Sequence, residues 1–581
     1  GEDATVGPEA ADPHMAVRGF ETNGLPPEPG APFADPCRTD PNANGDIALV
    51  DKTRRYQGAN IQMDVTLNKV GWHFPQQRFE ALWEDIGDLL TGNKPPEPLV
   101  MRLNPTECAE FWHTNLVPNV YELDDYQVRT PTDIIGQHIH LVKFDVTSAD
   151  GSANGWNYED GTLSPQEVEE RIQAIRNRTN AEADAAVAAD PAATPVRCEG
   201  DAVAGNGDVA GDTGPFNRGT LECPLAVAHP YFKDVPGVGD LAWGARTTVQ
   251  RWYADPLLSQ SWDRGLGTVF THDHYGPSTH QQVGLYSTVL VEPMASTWRD
   301  PETGALMGGI LNSSDGMLYM PGPTTPSAQG GEKLTASTTL APRQDGGPTS
   351  WRADILIPQS QWVDLDGDGT LDDPSHREFF MEFADFQHAY HAGAAVEPHL
   401  ADNGAGVQIP SYADFFNSVN PSYRQEPPAG KVADLYWFPE ICPNGQPRPC
   451  PEAISADDPG TYVVNFRNEP VGLRVYDPAT QAQAAGEAGD LASAFRSIPR
   501  PNMSTVADPY APLTDGVGKD DPYTPMLRVY QGDKVRIRVQ TGAHEEEHNF
   551  TLYGLKWRQE DFVPNSGWRN SQFMGISEYF N

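Results

Sequence analysis

The sequence predicts an all-β protein of packed sandwiches with long loops and a helical insertion. Three observations predict this. Pro (53) and Gly (54) are abundant among the 581 residues, as in turn-rich chains. Long stretches of helical apolar spacing are few. Short segments such as Ile61 to Leu67, Trp351 to Pro358 and Arg377 to Phe383 alternate or run apolar with the period of a strand.

Length and charge bound the rest. A chain of this size suggests about three to four domains, fewer if they are large β-sandwiches. The formal charge of −41 repels nucleic acid and anionic membranes, and it reads either as a field that draws cations to the surface or as one that only keeps a secreted protein soluble. No apolar run approaches the ~20 residues that span a bilayer. The chain opens on Gly1 without a basic-then-apolar leader and reads as a processed product. Six cysteines are scattered. Cys442 and Cys450 bracket a Pro/Gly-rich loop, Cys198 and Cys223 bracket another loop, and Cys37 and Cys108 are left to pair. These spacings do not fix connectivity, but they suit an oxidising compartment: secreted, periplasmic or cell-surface.

In chain order, 1–46 reads as an extended acidic, Pro-rich arm. Within it Asp40, Asn42 and Asn44 alternate oxygens before Gly45, as a calcium loop or an ordinary turn would. The first patterned domain is expected over 47–295. It opens with the strand at 61–67, and the apolar spacing of 76–90 predicts an amphipathic helix. Leu99 to Pro118 reads as strand, turn, strand. An insertion over about 150–245 interrupts the β-pattern. Its helix starts at Ser164-Pro165-Gln166-Glu167, a capping box with proline at the first helical position, and ends at Asp190-Pro191. Strands resume at 246–253 and 267–292.

A second domain is expected over 296–455. Its loop Asp364, Asp366, Asp368, Thr370, Asp372, with Gly369 at position six, spaces hard oxygens around a calcium-sized ion, although Ser375 stands where a bidentate Glu is usual. His388 and His391, with His399 nearby, read as a polar loop. Segments near 420–452 and 496–525 read as linkers or long loops. A third, apparently incomplete domain is expected over 456–581.

Two segments carry the chemistry. In Gln137-His138-Ile139-His140 and Thr271-His272-Asp273-His274, the histidines of each pair are two residues apart at a strand end, so their rings point to one side. A lone His-x-His is often incidental. Two such pairs among 15 histidines point to a shared metal, since imidazoles on rigid strands form a preformed copper or zinc site. His280, six residues on, is a further candidate ligand or a partner to one.

With these residues in view, the chain resembles large bacterial multicopper oxidases, a family of tandem cupredoxin-like Greek-key β-sandwiches. His138-Ile-His140 matches the family's first His-x-His, and His272-Asp-His274 followed by Gly284-Leu285-Tyr286 matches its second. The resemblance implies that His138 holds a type 2 copper and that His140, His272 and His274 hold the type 3 pair. The third segment is matched only by His548, at the type 1 position, with Thr551 and Tyr553 in place of cluster histidines. The fourth, His-Cys-His, is missing.

The resemblance therefore implies a secreted copper-dependent oxidase that oxidises a metal ion such as Mn(II), or another small reductant, with dioxygen as acceptor. The absent ligands are expected from chain beyond 581 or from a partner subunit. The alternative is a non-catalytic extracellular cupredoxin-type protein that binds metal or builds a structure and is stabilised by calcium.

Overall fold

A computed structural model describes Cys37 and, with short gaps, residues 53–119, 133–301, 304–319, 349–384, 463–466, 476–477, 482–483, 527–543 and 548–581. The arm's Asp40, Asn42 and Asn44, the pair Cys442 and Cys450, the histidines 388, 391 and 399, and the linkers near 420–452 and 496–525 lie outside the described residues.

The protein is an all-β sandwich protein. Its first part runs β1 (Thr53–Thr66), β2 (His73–Leu82), β3 (Val100–Leu103), β4 (Cys108–Asn115), β5 (Ile135–Ile139), β6 (Gly161–Thr162) and β7 (Thr247–Tyr253). A short hairpin, β8 (Leu258–Ser259) and β9 (Trp262–Asp263), precedes β10 (Gly267–Asp273) and β11 (Tyr286–Val291). These make two facing sheets, ordered β2-β1-β4-β7 and β3-β11-β10-β5-β6. Successive strands cross between the sheets, so β1 and β4, and β3 and β11, pair in parallel while the other ladders are antiparallel. Tyr56, Phe111 and Trp252 from one sheet meet Met101, Val269 and Val289 from the other in a fully buried core.

Residues 73–82 form a strand, which replaces the first half of the helix predicted over 76–90. Phe79 and Leu82 suit either period, and pairing along β1 (Ile61 with Phe79, Gly58 with Leu82) decides for the strand. Only Ile86–Leu90, α1, is α-helical. The insertion helix, α2 (Pro165–Ala189), forms as its cap predicts, with Ser164 Oγ accepting from Glu167 N at 3.0 Å. Arg176 donates to the carbonyls of Pro224, Glu199 and Gly200, and the Cys198–Cys223 disulfide closes the insertion. Cys37 and Cys108 are also bonded, which ties the arm to β4.

The second part contributes β12 (Thr297–Arg299), β13 (Leu306–Met307), β14 (Ile310–Asn312), β15 (Met317–Tyr319), β16 (Arg352–Leu356), β17 (His376–Ala384) and β18 (Val463–Val464). After two short strands, β19 (Tyr476–Asp477) and β20 (Ala482–Gln483), come β21 (Val535–Ala543), β22 (His548–Thr551), β23 (Trp557–Arg558), β24 (Trp568–Arg569), β25 (Ser571–Met574) and β26 (Tyr579–Phe580). One sheet runs β13-β12-β16-β17-β21-β26, with β18 also on β17. Strands from both sides of position 455 therefore share a sheet, because β17 and β21 pair in parallel.

This sheet packs on the outer face of β3, β11 and β10. At one end, Arg102 donates to Glu292 (2.8 Å) and Glu378 (2.5 Å), and Arg538 donates to the same two carboxylates (2.8 and 2.5 Å). All four side chains are buried, so the two sheets are joined by a closed ring of two cations and two anions. Further along, Val100 and Leu290 meet Phe380. Tyr286 stacks on Phe466 at 6.2 Å, and a side chain at Gly542 would strike its ring.

Two buried carboxyls stand near this junction. Burial raises Glu80 to about 7, with Asp273 adding repulsion, although hydrogen bonds from Ser287 and Gln137 oppose the shift. Burial, with Glu80 beside it, likewise raises Glu382 well above the carboxylate range. A carboxyl raised by folding leaves the folded state holding the proton longer. Its destabilising effect is absent below the unfolded value of about 4.5 and grows until the pH passes about 7. It amounts to about 3 kcal/mol for Glu80. Glu80→Gln is expected to flatten the fall in stability over that window, as read by urea melts at several pH values.

Candidate metal centre

The two histidine pairs meet. β5 and β10 run antiparallel with His138 opposite His272, Gln137 opposite Asp273 and Ile139 opposite Thr271. The second histidine of each pair lies one residue past its strand and is held by the opposing one: His140 N donates to Phe270 O at 2.9 Å, and His274 N to Gly136 O at 2.7 Å. Alternation then sends all four rings to one face while Gln137, Ile139, Thr271 and Asp273 turn into the sandwich. That outer face also carries Tyr286, the cross-strand neighbour of His272, which the sheet of β17 and β21 covers.

The rings are close and oriented. Centroids lie 4.3 Å apart for His138 and His274, 5.2 Å for His140 and His272, and 5.4 Å for His138 and His272. His140 Nε2 and His272 Nε2 are 3.2 Å apart. Two nitrogens bound at 2.0–2.1 Å to one ion at a tetrahedral angle sit about 3.3 Å apart, so the spacing suits a shared ion. Ligand atoms of His138, His140 and His272 lie within 4.8 Å of one another, as do those of His138, Asp150 and His274.

Carbonyls set the tautomers. Asp150 O accepts from Nδ1 of both His138 and His274 at 3.0 Å, and Asp273 O accepts from His272 Nδ1 at 2.7 Å. A carbonyl only accepts, so in these three neutral rings Nδ1 carries the proton and Nε2 keeps its lone pair. Burial, then repulsion from neighbouring rings, lowers His140 to about 4; burial above all lowers His272 to about 3, and His138 is lowered by burial and by His274. Neutral imidazoles at pH 7 are what a metal needs. The residues fit copper or another imidazole-seeking ion.

Asp150 is a site residue that the sequence does not single out. Beyond its carbonyl, its carboxylate reaches His138 Nδ1 (3.3 Å) and His274 Nδ1 (3.1 Å). Gly136 and Gly151 make this possible, because a Cβ on Gly136 would overlap the Gly151 carbonyl and Gly151 has φ +81°. Gly136→Ala is expected to push the Asp150 carbonyl off the two rings and to weaken copper binding by about tenfold or more, measured by chelator competition.

The other candidates stand apart from this face. His280 is buried on the inner side, where its Nδ1 donates to Asp273 Oδ2 at 3.0 Å. His548 lies on β22, paired with β25, and joins none of the ligand groups among the described residues; Tyr553 is exposed. Four of the six cysteines are in disulfides, and no free one occurs among the described residues.

In the acidic loop, carboxylates of Asp364, Asp366 and Asp372 lie within 4.8 Å of one another. Asp364 accepts from Gly367 N (2.7 Å) and Gly369 N (2.9 Å). Asp368 turns to Thr370, accepting from its N (2.7 Å) and Oγ1 (2.5 Å).

No family model matches this chain, and no curated protein matches it. Among solved structures it is similar to a copper nitrite reductase from Nitrosomonas europaea, at 11% identity and a TM-score of 0.29, over 91% of this chain and 82% of that one. At that score the likeness carries no argument. No helix among the described residues is long and apolar enough to cross a membrane.

Proposed function

We propose that this protein is a copper-dependent oxidase of the multicopper-oxidase type, exported to an oxidising compartment, with dioxygen as acceptor and Mn(II) or another small reductant as donor. The observation that carries the reading is the cross-strand meeting of His138-Ile-His140 with His272-Asp-His274, with two Nε2 atoms 3.2 Å apart. His140 and His272 would share one ion; His138 and His274, whose Nδ1 protons rest on Asp150, would present Nε2 to others. Copper held there supplies one-electron redox chemistry. The chain's own part is to hold the rings neutral and oriented, with the Asp150 carbonyl and carboxylate beside the Nδ1 protons of two of them. Remaining ligands are assigned to a partner subunit or to further chain, and the charge of −41 suits a cationic donor. Oxygen uptake with Mn(II) or an organic reductant tests the reading; copper-loaded protein that consumes no oxygen would contradict it.

A second reading, a calcium-stabilised structural protein, is favoured by the three gathered carboxylates of Asp364, Asp366 and Asp372. Here calcium is expected to raise the melting temperature, and Asp366→Asn to remove most of that rise. Calorimetry with and without chelator decides it.

A further inference from the structure

The histidines occupy one face of β10, and the residue between two of them occupies the other. Asp273 is fully buried and makes three polar contacts there. Its Oδ1 accepts from Gly136 N at 2.8 Å, across to the start of the first histidine segment. Its Oδ2 accepts from Gly276 N at 2.7 Å, closing the turn that carries His274, and from His280 Nδ1 at 3.0 Å. Gly136 is thereby gripped on both sides, since its carbonyl accepts from His274 N at 2.7 Å. His280 is itself fixed by its backbone, with His280 N on Gly276 O (2.7 Å) and Leu285 N on His280 O (3.0 Å).

We propose that Asp273 and His280 form a brace behind the metal centre, and that Asp273 is a positioning residue which holds the two histidine pairs in mutual register. The inference rests on the copper reading above. Its physical basis is that β5 is short, ending at Ile139, and that His274 lies beyond the end of β10, so the ladder alone holds His274 weakly. The carboxylate replaces the ladder bonds that are missing there. It does so from the inner side, where it blocks no ligand position. His280 Nδ1 then fixes which way the carboxylate faces, which accounts for a buried histidine whose Nε2 has no hydrogen-bond partner among the described residues.

The test uses the full chain with Asp273→Asn, His280→Leu and His280→Gln, the last keeping an N–H donor for Asp273. Copper(II) affinity is read by chelator competition, the copper geometry by electron paramagnetic resonance, and the Gly136 and Gly276 amides by hydrogen exchange of the metal-free protein. The brace predicts that Asp273→Asn and His280→Leu weaken copper by about tenfold or more and change the hyperfine pattern. It also predicts that one or both amides exchange faster in Asp273→Asn and that His280→Gln stays near wild type. Wild-type affinity, spectrum and exchange in Asp273→Asn would overturn it. Should the wild type take up no copper, the metal reading falls, and amide exchange alone decides the brace in the same two directions.

Discussion

Arg538→Met is expected to destabilise the protein by about 3–5 kcal/mol, because it leaves Glu292 and Glu378 facing each other in the interior with one guanidinium between them. Arg102 and Arg538 each bridge both carboxylates, so the ring is neutral only when complete. Glu378 lies well below the ordinary carboxylate range despite its burial, because the charges of Arg538 and Arg102 hold it ionised. Replacing all four residues by apolar ones of similar volume is expected to recover most of the loss, since the desolvation cost of the charges goes with them. Urea denaturation of the single and quadruple variants checks both statements. A single variant as stable as the wild type would show that the ring does not form.

His272→Ala is expected to lower copper affinity by more than about a hundredfold, since loss of an outer partner alone typically costs 10–100-fold. His272 is the pivot of the site. It is opposite His138 in the ladder, its Nε2 faces His140 at 3.2 Å, and its own tautomer is set by the Asp273 carbonyl. His274→Ala should cost less, as that ring is about a third exposed and lies past the strand end. Competition titrations rank the two, and the reverse order would show that the ions sit mainly on the Asp150 side.

The four histidines were legible because period two puts each pair on one side, and α2 because Ser164 and Pro165 mark its start. That the pairs share a site was expected from the recurrence of the motif alone; the register of β5 against β10 that joins them was not legible, since it is set across the long insertion and nothing local to either strand encodes it. The helix expected over 76–90 gives way to strand up to Leu82 because Phe79 and Leu82 fit both periods, and only the partner strand breaks the tie. Asp150 acts largely through its backbone carbonyl, which no residue type announces. The Arg–Glu ring was hidden for a related reason: Arg102 on β3, Glu292 just past β11, Glu378 on β17 and Arg538 on β21 are far apart in the chain, and only the packing of two sheets brings them together.

The central claim is that the two His-x-His segments hold copper jointly. Copper per chain, counted after reconstitution in the wild type and in His138→Ala/His274→Ala and with calcium counted separately, tests it most directly. Bound copper in the wild type that falls in the variant, with the fold unchanged by circular dichroism, is the predicted result. A wild type that holds calcium but no copper, or a variant that keeps all its copper, would contradict it.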